Sequence, residues 1–138
     1  MNKNILTKID KNKVISLDTR KSDIMEKGIN SGVKLINDVS GLNYDQNSIN
    51  ILKKYKTPFV LQHSLGNPDV MQDNPKYKNV LLDIYDFFEK NINGKFKDKK
   101  IVLDPGIGFG KSLKHNLTLI SKISLFHSLG LPVLVRTS

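Results

Sequence analysis

The chain contains no cysteine, and it carries arginine at only two positions, Arg20 and Arg136. Without thiols there is no disulfide framework and no thiolate nucleophile, a composition compatible with a cytoplasmic location. No apolar run approaches the roughly 18 residues that a membrane-spanning helix needs, so no membrane partner is expected. The stretch Met1 to Lys8 is basic but lacks the apolar segment of a secretory signal. The scarcity of arginine bears on the charge. Twenty-two basic against 13 acidic residues give a net charge of +9, almost all of it lysine and scattered along the chain. Sequence-reading proteins favour arginine forks, and single-strand binders interleave aromatics with their charge. Neither pattern is present, and the densest basic run, Lys95 to Lys100, reads as a solvated loop, so nucleic acid is not an expected partner. The three histidines lack metal-ligand spacing, which argues against a zinc site.

At 138 residues, 38% hydrophobic and 25% charged, the chain has the material for one globular domain, and no low-complexity linker divides it. Short β-branched runs alternate with helical stretches, the signature of βα units and a parallel sheet. The expected strands are Val14–Asp18, Lys34–Val39, Pro58–His63, Lys100–Asp104 and Pro132–Thr137. Each begins apolar and ends polar: Asp18, Asn37 with Asp38, Gln62 with His63, Asp104, and Arg136 to Ser138 all fall where a strand gives way to its loop. In a (β/α)8 barrel those ends gather on one face, around one pocket.

The intervening helices are equally legible. One runs from about Ser22 to Ser31 and stops at Gly32, and another covers roughly Asn47 to Tyr55. Asn74 can cap a helix opened by Pro75, followed by Val80, Leu81, Ile84, Phe87, Phe88 and Ile92 at three- and four-residue steps. Leu113, Leu117, Ile120, Ile123 and Phe126 repeat the pattern, which Gly130 and Pro132 end. Such apolar faces read as core.

The most informative stretch is Ile101 to Lys111, Ile-Val-Leu-Asp-Pro-Gly-Ile-Gly-Phe-Gly-Lys. A strand delivers Asp104 to a turn of three alternating glycines that ends on a lysine. It is not a phosphate-binding P-loop, because Pro105 stands where that motif needs its first glycine. Nor is it a dinucleotide fingerprint, whose third glycine follows the second by three residues.

Taken with Val-Ile-Ser-Leu-Asp-Thr (14–19), Leu-Ile-Asn-Asp-Val-Ser-Gly (35–41) and Gln-His-Ser-Leu-Gly-Asn-Pro-Asp-Val-Met-Gln (62–72), this stretch makes the chain resemble dihydropteroate synthase, from about Val14 to Ser138. The resemblance implies a partial TIM (β/α)8 barrel of about five βα units with parallel strands, since a whole barrel takes about 250 residues. It also implies the family's reaction, in which a dihydropterin bearing a CH2-pyrophosphate joins p-aminobenzoate and pyrophosphate leaves. By their matches, Asp104 corresponds to the carboxylate that accepts paired hydrogen bonds from the pterin, and Asp18 to a second carboxylate facing the ring. Asn37 corresponds to the amide that offers donor and acceptor to the pyrimidine edge. Phe109 and Lys111 match the loop on the p-aminobenzoate side, with Lys111 either binding anionic substrate or pointing to solvent. Asp18 and Asn37 have a plainer alternative as helix caps, Asp38 reads as a turn residue, and His63 is as well explained as a buried structural group.

The family holds Mg2+ through an early Asn-bearing segment that has no match in this sequence, and its later lysine and Arg-x-His elements have none either. No catalytic residue and no metal ligand is therefore assigned, and turnover is not expected of this chain in isolation. Gln62 and Ser64 stand where the family commonly has methionines, and Arg136 where it has glycine or alanine. The competing expectation is a non-catalytic pterin-binding half-barrel. Its open edges would be covered by self-association or by complementing barrel fragments.

Overall fold

The computed structural model describes residues 12–63, 79–97, 99–108 and 111–135. Their core is a four-stranded parallel sheet in the order β1-β2-β3-β4, formed by Ser16–Asp18, Leu35–Asp38, Phe59–Gln62 and Ile101–Asp104. Each strand is a residue or two shorter than expected: all four begin later, and β2 and β3 also stop one residue earlier. Residues 132–134 add a fifth parallel segment beside β4: Leu103 bridges Val133, the Leu103 N–H donates to the Pro132 carbonyl at 2.8 Å and the Leu134 N–H to the Leu103 carbonyl at 2.7 Å. The end of the fifth expected strand, with Arg136, Thr137 and Ser138, lies outside the described residues.

Helices α1 (Ser22–Asn30), α2 (Ser48–Lys54), α3 (Val80–Asn93) and α4 (Leu113–Ser121) cover one face of the sheet. Alternate strand residues meet them: Leu17, Ile36, Phe59, Leu61, Ile101 and Leu103 join Met25, Leu52, Ile84, Phe88 and Leu119 in the apolar core. At α1 the approach is close enough that a Cβ on Gly28 would force the Leu17 side chain to move, so the glycine lets the helix sit close against β1. Phe88 meets Phe126 edge-on with ring centroids 5.6 Å apart, and Phe59 meets Phe96 at 4.8 Å, which closes the outer layer.

Two helical expectations are corrected. Asn74 and Pro75 lie outside the described residues, and the helix itself begins at Val80, with Asn79 Oδ1 accepting the Leu82 N–H at 3.2 Å. The helix expected from Leu113 through Phe126 breaks at Lys122 and continues as a 3-10 helix, Ile123–Leu129. The break turns Phe126 into the core beside Leu119, while Leu113, Leu117 and Ile120, expected in the core, are exposed, Leu113 by 75%. Nothing among the described residues covers that face.

Candidate functional site

Parallel register decides which polar strand ends share a face. Asp18 lies opposite Asn37, Asn37 opposite Val60, Val60 opposite Val102, and Gln62 opposite Asp104. Since side chains alternate, Asp18, Asn37, Gln62 and Asp104 all project from the face turned away from the helices, at the carboxyl ends of four adjacent strands. From the strand spacing and rise, Asn37 and Asp104 lie about 10 Å apart across the sheet and about 7 Å along it. Asp38 falls on the opposite, helix-facing side, and there it makes a turn: Oδ1 accepts from Ser40 N at 2.8 Å and Ser40 Oγ at 2.6 Å. Burial raises its pKa above the usual carboxylate value, against the lowering effect of the Ser40 bonds and the nearby Arg20.

Each group is set by its own loop. Asn37 is buried, 5% exposed, and its Oδ1 has no hydrogen-bond partner among the described residues. An orphaned acceptor at a strand mouth costs stability unless a ligand or water satisfies it. Asp18, on the edge strand, is exposed, and its neighbour Thr19 donates its N–H to the Asn37 carbonyl at 3.0 Å. Neither Asp18 nor Asn37 caps a helix: Lys21 and Asn47 hold those positions. Asp45 reaches from the second loop to accept the Ser22 N–H at 2.8 Å, and Arg20 lies over the Tyr44 ring, 4.1 Å from its centroid. These contacts tie the Asp18 loop to the Asn37 loop.

Asp104 is buried, and its Oδ1 accepts the Gly106 N–H at 2.8 Å, which fixes the carboxylate at the head of the glycine turn. Gly106 takes a φ of +73°, and a Cβ there would collide with the His63 carbonyl oxygen. Further along, the Gly108 N–H donates to Asn116 Oδ1 at 2.8 Å, which anchors the turn to α4. That helix starts with a capping box: Ser112 Oγ accepts from His115 N at 3.2 Å, and Ser112 N donates to His115 Nδ1 at 3.1 Å. Phe109 lies outside the described residues, as does Ser64.

Lys111 does not point to solvent. It is 3% exposed, and its Nζ donates to the His63 carbonyl at 3.4 Å. Desolvation lowers its pKa to about 7, while the Asp104 carboxylate opposes that shift. His63 is buried with its ring edge-on to Phe87, centroids 5.1 Å apart, and burial followed by the Lys111 charge lowers its pKa to about 3. It is therefore a neutral structural group at physiological pH.

The polar residue on this face that sequence reasoning did not assign is Gln62, fully buried beside Asp104. The available signal was a polar residue on the Val60 phase of an otherwise apolar strand. Among the described residues no group of three or more His, Asp or Glu side chains could hold a metal ion.

A parallel sheet backed by helices, with carboxylates and an amide gathered at its carboxyl-terminal mouth, has the architecture of a (β/α)-barrel and the candidate ligand face of that class. Residues 3–138 match the family described as pterin binding enzyme, and the chain belongs to that family. A dihydropteroate synthase of Clostridium beijerinckii is 37% identical over 128 residues, covering 90% of this chain and 45% of the relative. The Yersinia pestis dihydropteroate synthase, solved with a sulfonamide drug complex, superposes with a TM-score of 0.85 at 33% identity, covering 99% of this chain and 50% of that one. The Thermus thermophilus enzyme in complex with 6HMPPP gives 0.81 at 34%, covering 88% and 49%. Such structures are whole barrels, so the sheet is part of one, and the chain spans about half the length of the curated relatives it matches.

Proposed function

We propose that this chain forms the pterin-binding floor of a dihydropteroate synthase barrel. Asp104 accepts the paired N–H groups of a dihydropterin, Asn37 meets the pyrimidine edge, and Asp18 faces the ring. The turn from Gly106 to Lys111, with Phe109, borders the p-aminobenzoate side. In the reaction of the assembled barrel, the p-aminobenzoate nitrogen bonds to the pterin CH2, the C–O bond to pyrophosphate breaks, and the nitrogen sheds a proton. The groups of this chain orient the ring for that displacement. Mg2+, where the rest of a barrel supplies its ligands, would stabilise the leaving pyrophosphate.

One observation carries the reading: Asp18, Asn37 and Asp104 share a sheet face, and the buried Asn37 Oδ1 lacks a partner among the described residues. A planar ring with adjacent donors and acceptors fits that array. The test is calorimetric titration of the 138-residue chain with the dihydropterin pyrophosphate. A charge-assisted hydrogen bond contributes about 1.5–3 kcal/mol, so Asp104→Asn is expected to weaken binding roughly tenfold to a hundredfold. Equal affinity of the two proteins would refute the reading.

A second reading, in which the chain is a non-catalytic pterin-binding or complementing half-barrel, draws on the exposed apolar side chains Leu113, Leu117 and Ile120. Self-association or docking of the other barrel units would bury that face. Dihydropteroate formation on mixing with those units, and none without them, would distinguish complementation from stand-alone catalysis. A cytoplasmic location accords with the cysteine-free composition.

A further inference from the structure

Lys111 is a buried lysine whose head folds back on the protein rather than reaching solvent. It follows the glycine turn in sequence, yet its Nζ reaches back 48 residues to the His63 carbonyl at the end of β3. That carbonyl lies over Gly106, and a Cβ at Gly106 would stand 3.0 Å from Nζ. The Gly106 N–H in turn holds Asp104 Oδ1 at 2.8 Å. The ammonium thus lies among the end of β3, the end of β4 and the glycine turn. Lys111 as a whole is only 3% exposed, so its long side chain is packed among these elements.

We propose that Lys111 is a positioning residue for the pterin: its ammonium, tied to the His63 carbonyl and packed against Gly106, fixes the turn whose Gly106 N–H holds Asp104 Oδ1, and so keeps Asp104 in the orientation that receives the ring. The proposal rests on Asp104 being the pterin acceptor. Burying an ammonium opposes folding, and an apolar side chain of similar length is tolerated or better there. Desolvation lowers the Lys111 pKa from 10.5 to about 7. A depressed lysine pKa makes folding most favourable above 10.5 and progressively less so as pH falls toward 7. Lys111 thus opposes stability while serving orientation, and the two effects are separable.

Among the described residues, the titratable groups that act on the Lys111 charge are Asp104 on β4, which favours it, and His63 after β3, with a pKa of about 3 and therefore neutral from pH 6 to 9. Over that window the Lys111 ammonium titrates while His63 stays neutral.

The test uses the 138-residue chain, Lys111→Met and Lys111→Arg, titrated calorimetrically with the dihydropterin pyrophosphate from pH 6 to 9. Wild-type affinity is expected to weaken severalfold as pH rises through about 7. Lys111→Met should bind roughly tenfold or more weakly without that step, yet unfold at or above the wild-type temperature. Lys111→Arg should restore part of the affinity and abolish the step, because guanidinium keeps its charge. Wild-type affinity and pH profile in Lys111→Met, or weak binding explained by its unfolding at lower temperature, would overturn the proposal. A ligand-free titration of Nζ with 13C-labelled lysine separates this result from a failure of the pterin reading. Asp104→Asn should lower the Nζ pKa further, and an unchanged value would overturn the Lys111–Asp104 relationship whether or not pterin binds.

Discussion

Asp45 accepts a hydrogen bond from the backbone N–H of Ser22 at 2.8 Å, across 23 residues of sequence. The first turn of α1 is therefore capped from the neighbouring βα loop, since Lys21 at the cap position offers no side-chain acceptor. The Ser22 bond holds the Asp45 carboxyl below the usual carboxylate range. Asp45→Ala should destabilise the chain by about 1 kcal/mol, the ordinary cost of losing an N-terminal cap, and Asp45→Asn should recover most of it. Urea unfolding of the three proteins would measure this, and equal midpoints would show that the bond adds no stability.

His63 should dominate the acid response between pH 6.5 and 3. Its folded pKa is lowered to about 3 from 6.5, so the unfolded chain takes up a proton in that window that the folded chain refuses. Its contribution is complete above pH 6.5 and lost as pH falls toward 3, by up to roughly 5 kcal/mol at 1.36 kcal/mol per unit. Asp38 acts with the opposite sign, because its raised pKa lets the folded carboxyl take up a proton first. Thermal melts at half-unit steps should show a decline that His63→Gln flattens. A slope unchanged in that variant would assign acid sensitivity elsewhere.

Gly106→Ala tests the close approach of two strand ends. At a φ of +73° with the His63 carbonyl in the way, the new methyl forces the turn apart and displaces the N–H that holds Asp104. A loss of about 2 kcal/mol or more is expected, together with weaker binding of the dihydropterin pyrophosphate. Melting temperature and titration calorimetry read the two effects, and a neutral substitution would show that the turn relaxes freely.

The two faces of α4 should respond differently. Leu119 is fully buried, so Leu119→Ala should cost about 2–5 kcal/mol. Leu117 is 58% exposed, and Leu117→Lys should change stability by less than about 0.5 kcal/mol while weakening self-association or docking of complementary barrel units. Sedimentation velocity and chemical unfolding together distinguish these outcomes. A large stability loss in Leu117→Lys at low concentration would mean that the face is already covered within the chain.

Much of the site was legible because the information is local. The apolar runs ending in Asp18, Asn37 and Asp104 announce strand mouths, and Asp-Pro-Gly-Ile-Gly announces a tight turn. Asp38 was readable as a turn residue from its place at a strand end, and Ser40 satisfies it there. Lys111 was not readable, since nothing in a glycine-lysine pair says whether the long side chain extends to water or folds back on a strand 48 residues earlier. The break at Lys122 was equally hidden: the three- and four-residue spacing continues through it, and only the packing of Phe126 against Phe88 shows why the backbone changes course.

The sequence by itself determined the alternation of strands and helices, the polar strand ends, the glycine turn and the membership of the pterin-binding family. These depend on periodicity and side-chain chemistry, which are properties of neighbouring residues. Only the tertiary structure decided that Asp18, Asn37, Gln62 and Asp104 share one face, that Asp38 turns to the other, and that Lys111 is buried against the His63 carbonyl. Strand register and desolvation arise from contacts between segments far apart in the chain, so no local pattern could fix them.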